Sequence, residues 1–408
     1  MKTNLTAEQA RTRNAELLDT FVRMADYAAS NEVCAILISG DLFDTRHISA
    51  QARNTFLGTV NSHPDICFFY LPGNHEEDAL VSAVQEPPSN LKVFGEKWTV
   101  YHEAGIAIAG VSGTGISCDD ISDAAVTCVD DYTDAPCTVP VMDPAYFNIV
   151  MMHGQIADYG STGREDLIDL RALSGRNIDY LALGHIHSYR EGVLPPKGVW
   201  CYPGCLEGRG FDECGDHGFV LFDIDPESRK CTRKFVPFAR RRFFAPEVDV
   251  TGCRSTVEMM ERVEEVLHSP DVSGTGNAGS GVSETENAGN GLTAGHGVTG
   301  IDSSGFCGPA MGSPGPDDLV KIILTGQVAC DCEKHPEQIA GHFSPAYYFF
   351  SVEDDTKLSV DYRDFRLDAS LKGEFVRTVE ADASLSEEEK TEIIRCGILS
   401  LSGELAGF

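Results

Sequence analysis

The sequence predicts an α/β protein joined to a smaller α+β domain, and three observations predict it. Short apolar runs recur between helical or irregular segments over about the first 240 residues, a long Gly/Ser/Thr/Asn-rich stretch follows, and strand and helix signals then resume. Apolar runs of this length, bounded by turn residues and alternating with helical segments, read as buried strands of a sheet covered by helices.

The elements follow in order. Thr6 and Gln9 stand at capping-box spacing, and Leu17, Leu18, Phe21, Val22, Ala25 and Ala28 then fall on one helical face, which predicts a helix over 6–30. Strands are predicted at CAILIS (34–39), ICFFYL (66–71), GIAIAGV (105–111), FNIVMM (147–152) and YLALG (180–184). From Trp200 to Phe238 the alternation becomes β-rich, and the first domain closes near residue 245. A helix within 246–269 connects it to a flexible low-complexity linker over 270–316, which holds His296 as a solvated residue. Residues 317–408 are expected to form the small α+β domain, from runs such as LVKIILTG and AYYFFSVEDD.

Composition narrows the function classes. A chain of 408 residues with 42% hydrophobic residues can bury a large core. It has no apolar run of membrane-span length and no apolar signal segment near Met1, so a soluble cytoplasmic protein with no membrane role is expected. The 14 cysteines are scattered, several within apolar runs, and read as buried free thiols. Cys330, Cys332 and His335 lack a second ligand pair at zinc-site spacing and read as an unliganded loop. A formal net charge of −31 works against non-specific binding to nucleic acid. Against it stand Arg229, Lys230, Arg233, Lys234 and Arg240 to Arg242, interleaved with Phe235, Phe238, Phe243 and Phe244. These form either a DNA-contacting strip or a solvated hairpin with one apolar face.

Four polar clusters each follow a predicted strand: Gly40-Asp41-Leu42-Phe43-Asp44, Gly73-Asn74-His75-Glu76, His153-Gly154-Gln155, and Gly184-His185-Ile186-His187. Open α/β sheets assemble their sites at such strand ends. Each cluster alone is an ordinary turn. Together they supply carboxylate, amide oxygen and imidazole, the donors that bind divalent metals. Cleaving a phosphodiester near neutral pH requires an activated water and positive charge against the phosphoryl oxygens, and two metals about 3.5–4 Å apart supply both.

GDLFD, GNHE, HG and GHIH in this order resemble the calcineurin-like metallophosphoesterases. GDLFDTRHIS and YPGCLEGRGFDECGDHGFVLFDID are similar to their DNA-repair exonuclease branch, the SbcD-type nucleases. The resemblance spans about residues 4–240. It implies a four-layer αββα sandwich, with the smaller C-terminal domain as a cap that helps orient DNA. It also implies two divalent metal ions, manganese for preference, and metal-dependent exo- or endonucleolytic cleavage of DNA. Asp41 would bridge the metals, Asn74, His153 and His185 would complete one site, and His187 would bind the other metal. His75 would contact the scissile phosphate and assist the leaving group. Asp44 would orient His75 or cap its loop. An ABC-type coiled-coil ATPase is the implied partner, and a homodimer is compatible with the resemblance. A phosphatase or cyclic-nucleotide phosphodiesterase on the same scaffold is the rival, because the motifs fix the reaction and not the substrate. A scaffold that binds without cutting is the non-enzymatic one.

One departure matters. The family carries a strand ending in Asp-x-His before the first helix, and no Asp-x-His precedes Asp41 here. The second metal is left with Asp41 and His187. A truncated start accounts for this better than decay or one-metal catalysis, because every later ligand is intact; the chain as it stands is expected to be catalytically impaired and less stable than a version with that strand.

Overall fold

The computed structural model of the protein describes residues 5–43, 48–73, 87–112, 139–157, 167–225, 227–269, 312–329, 332–359 and 364–401. Among the expectations above, Asp44, Asn74, His75, Cys330 and the stretch 270–311 with His296 lie outside the described residues. The chain divides into two compact units after Arg242.

The first unit opens with helix α1 (Ala7–Ser30), capped as its sequence predicts: the Gln9 N–H donates to Thr6 Oγ1 and the Thr6 N–H to Gln9 Oε1. Strand β1 (Ala35–Ser39), helix α2 (Ala50–Ser62), and strands β2 (Cys67–Leu71) and β3 (Leu91–Val93) follow, the three strands pairing in parallel in that order. A second, six-stranded sheet is built from β4 (Thr99–Glu103), β5 (Ile106–Gly110), β6 (Phe147–His153), β9 (Tyr180–Gly184), β10 (Arg190–Leu194) and β11 (Gly198–Tyr202). Its order is β10-β11-β9-β6-β5-β4, parallel at the centre with an antiparallel strand at each edge. Short β7 (Gln155–Ile156) and β8 (Leu167–Ile168) pair in parallel ahead of helix α3 (Leu170–Leu173), and β12 (Gly218–Ile224) and β13 (Cys231–Pro237) form an antiparallel hairpin.

The period of two along the strands sets the layers. From β6, Ile149 and Met151 meet Phe69 and Leu71 of β2, forming a core between the sheets that Val220 and Phe222 of the hairpin also join. Val150 and Met152 face the other way, toward Met142, Ile168 and Leu173. On the far side of the first sheet, Phe68 and Tyr70 pack against Ala25, Ala28, Phe56 and Val60 of α1 and α2. The result is helix, sheet, sheet, and an outer layer in which the described helical part is the single turn of α3. This is the expected α/β sandwich.

The predicted apolar face of α1 holds for Ala25 and Ala28 but not for the N-terminal half. There the buried positions are Arg13, Glu16 and Thr20, while Leu17, Leu18, Phe21 and Val22 are half-buried. Arg13 donates to Glu16 Oε2 (2.8 Å), Glu207 Oε2 (3.0 Å) and the Gly208 carbonyl (2.9 Å), Thr20 donates to Glu207 Oε1, and Arg241 grips Glu16 (2.7 Å). Hydrophobic periodicity assigns charged positions to solvent, so a stripe buried by mutual neutralisation is invisible to it.

In the second unit, β16 (Leu319–Thr325) pairs in parallel with β14 (Phe243–Phe244), β15 (Glu247–Asp249) and β18 (Phe349–Asp354). Helices α4 (Thr256–Leu267) and α5 (Pro336–Phe343) cover this sheet, contributing Met259, Val263, Leu267 and Ile339 to one core. Strands β17 (Gln327–Ala329) and β19 (Lys357–Ser359) form a small parallel pair, and α6 (Leu371–Ala381) packs on α7 (Glu387–Leu401) through Val376, Ile394 and Ile398. Among the described residues no helix is long and apolar enough to cross a membrane.

Candidate metal centre

All four polar clusters begin in described residues, and three of them place a candidate ligand there, at the C-terminal end of its strand: Asp41 beyond β1, His153 closing β6, and His185 beyond β9. Parallel strands deliver all three to the same end of the sandwich. A ligand atom from each of Asp41, His153 and His185 lies within 4.8 Å of the others. His153 Nε2 is 3.2 Å from Asp41 Oδ2, and the two imidazole rings meet edge to face at 5.4 Å between centroids.

Apolar neighbours hold these side chains in place. Leu42 and Phe43 anchor the chain after Asp41 in the helix-side core. Ile186 packs into the outer core between His185 and His187. The backbone is forced where the ligands turn inward: Asp41 has φ +51° and His185 φ +98°, left-handed conformations that an L-residue holds only at a cost on the order of 1–3 kcal/mol. Glycines clear the space. A Cβ on Gly40 would fall on His153 Nδ1, one on Gly73 would press Asp41, and one on Gly184 would land on the Ser39 carbonyl.

Hydrogen bonds set the histidine tautomers. His153 Nδ1 is 2.9 Å from the Ser39 carbonyl, which can only accept, so Nδ1 carries the proton and Nε2 presents its lone pair toward Asp41. His187 repeats the arrangement with a carboxylate: its Nδ1 donates to Glu213 Oε1 at 2.7 Å, leaving Nε2 as the ligating nitrogen. The hydrogen bond to Glu213 is the main cause that raises the His187 pKa above its ordinary value, and the charge of Asp41 adds to it. Burial pushes the Glu213 carboxyl up, but His187 and the Arg209 N–H and guanidinium outweigh it and hold it at about 2.

A half-buried carboxylate beside one buried and one half-buried imidazole, the buried ring with its tautomer fixed, is a donor set that fits a divalent cation. Glu213 is the residue that sequence reasoning missed. It lies in a Gly-rich loop of no periodicity, and only the tertiary fold brings it to His187.

The basic strip resolves differently along its length. Arg229 donates to the Pro144 carbonyl, Arg233 pairs with Glu191, Arg240 with Asp19, Arg241 with Glu16 and Arg242 with Asp216. Five of its cationic side chains are thus engaged within the protein. Phe235 packs against Tyr189 and Phe238 against Phe219 with tilted rings, which fits a hairpin with one apolar face. Cys332 packs partly buried against the core of the second unit.

Residues 14–189 match the calcineurin-like phosphoesterase family. The chain is 27% identical over 253 residues to an uncharacterized metallophosphoesterase, YhaO, of Bacillus subtilis strain 168, a stretch covering 60% of this chain and 58% of that protein. The chain therefore spans less than two thirds of that relative's length. A crystal structure of TT1561 of Thermus thermophilus overlays with a TM-score of 0.33 and 15% identity, covering 54% of this chain and 93% of that one.

Proposed function

We propose, from the premise that residues 14–189 form a calcineurin-like phosphoesterase domain, that the chain hydrolyses phosphodiesters of DNA as a nuclease using two divalent ions, manganese for preference. The observation that carries this reading is the convergence of Asp41, His153 and His185 at three strand ends. Asp41, His153 and His185 would hold one ion, with Asn74, and Asp41 and His187 would contribute to the other. When bound, such ions supply positive charge against the phosphoryl oxygens and lower the pKa of water. The chain's own part is to fix the ligands before substrate arrives: the Ser39 carbonyl and Glu213 each hold an imidazole by Nδ1–H, so neither ring must reorient. His75 is assigned the proton of the leaving group, with Asp44 orienting it. The proposed partner is a coiled-coil ATPase of the ABC type, with the second unit helping to orient DNA.

A second reading has its own support. The net charge of −31 and the internal pairing of Arg233 and Arg240 to Arg242 work against this strip as a DNA contact, which favours a small phosphoester. Linear duplex DNA and a small chromogenic phosphodiester, each incubated with Mn2+ and with EDTA, separate the two. Mn2+-dependent cleavage of DNA is expected. Turnover of the small substrate alone would replace the nuclease by a phosphatase or cyclic-nucleotide phosphodiesterase.

A further inference from the structure

The segment from Gly204 to His217 does not contribute to the Asp41 cluster, yet it makes several contacts to the loop that carries His187. The Cys205 N–H donates to the His187 carbonyl at 3.0 Å, and Glu213 Oε1 takes the His187 Nδ1–H at 2.7 Å. Backbone and ring of one residue are thus held by one segment. Gly204, at φ +80°, permits the approach, since a Cβ there would stand 2.8 Å from the His187 carbonyl oxygen.

Glu213 is itself held from several directions. Arg209 donates its N–H to Oε2 at 2.8 Å and its guanidinium to Oε1 at 3.3 Å, so the carboxylate is charged and cannot rotate without losing both. The Glu213 carbonyl accepts from His217 Nε2 at 2.9 Å. His217 is buried, and because its Nε2 must carry the proton, its Nδ1 is the acceptor for the Cys205 thiol at 3.2 Å. Burial, followed by the charge of Glu213, raises the Cys205 pKa, so this group is a thiol and a donor. Cys205, His217, Glu213 and His187 form a closed circuit, in which the Cys205 thiol also lies 3.8 Å from Glu213 Oε2.

We infer that Glu213 is the positioning residue of the second metal site, fixing His187 as its Nδ1–H tautomer with Nε2 presented for ligation, and that the Gly204–His217 loop is the frame that holds Glu213. The inference rests on the metal-dependent reading of the site. A carboxylate behind a ligating histidine orients the ring and raises its basicity, and removing such a partner lowers metal affinity about 10–100-fold. That orientation governs occupancy of the site.

The test compares wild type, Glu213→Ala, Glu213→Gln, His187→Ala and the double variant by Mn2+ equilibrium dialysis, with 15N-histidine NMR of the metal-free proteins. The expected result is an about 10–100-fold weaker Mn2+ class in Glu213→Ala, partial rescue in Glu213→Gln, whose amide oxygen can still accept from Nδ1, and no further loss when Glu213→Ala is added to His187→Ala. The His187 signals should shift from the Nδ1–H tautomer to a mixture in Glu213→Ala. An unchanged tautomer, or losses that simply add in the double variant, would overturn the inference. Absence of Mn2+ binding by wild type would count against the functional reading instead, while the tautomer would still report on Glu213.

Discussion

His185 holds a φ of +98°, and Asp41 one of +51°, although neither is glycine. Both residues turn inward at the end of a strand, and the glycines before them leave the room to do so. The Gly184 position has no tolerance for a side chain, since a Cβ would land on the Ser39 carbonyl and 2.9 Å from His153 Nδ1. Gly184→Ala is therefore expected to cost about 1–3 kcal/mol of stability and to lower Mn2+ uptake by displacing His153. Gly58, exposed within α2 with nothing near its would-be Cβ, supplies the control: Gly58→Ala should stabilise by about 0.5–1 kcal/mol and leave Mn2+ uptake intact. Chemical denaturation and dialysis of both variants measure the contrast. Asp41, His153 and His185 were legible in the sequence because each follows a recognisable strand, so the order of elements alone places them together. Glu213 was not, because its meaning comes from a contact with His187, 26 residues away and beyond strands β10 and β11.

The elements divide along similar lines. The buried strands were readable because both of their faces are apolar, as Ile149 and Met151 on one side of β6 and Val150 and Met152 on the other illustrate. The docking of α1 was not, because it runs through Arg13, Glu16 and Thr20. Arg13→Ala leaves Glu207 short of a counter-charge in a buried place and is expected to cost about 3–5 kcal/mol. The pH dependence has a definite sign. Burial raises the Glu16 pKa, but its bonds to Arg241 and Arg13 outweigh that and the pKa lies below its ordinary value of 4.5. The ionised Glu16 thus stabilises the fold above pH 4.5, and that contribution disappears as pH falls through the lower folded value. The gap in melting temperature between wild type and Glu16→Gln should be full at pH 7 and narrow below about pH 4.5; a gap independent of pH would remove Glu16 from the account.

At the scale of the whole molecule, an α/β unit with a candidate site at its strand ends precedes a second unit with a core of its own. The expectation of a larger α/β part followed by a smaller one comes from the Gly/Ser-rich stretch and the resumption of apolar runs, features that do not depend on tertiary contacts. The fate of the basic strip was not legible, because whether an arginine faces DNA or an internal carboxylate depends on which acidic residue the fold brings beside it. Asp19, Glu191 and Asp216 lie far from Arg240, Arg233 and Arg242 in sequence or on other elements, and nothing local announces them.

The proposed function depends on Asp41, His153 and His185 holding a divalent ion. Equilibrium dialysis of Mn2+ against wild type, Asp41→Asn and His153→Ala, each checked for a native melting transition, tests that most directly. Saturable uptake of at least one ion per chain by wild type, abolished in both variants, is the predicted result. Wild type that takes up no ion, or folded variants that bind as wild type does, would contradict it.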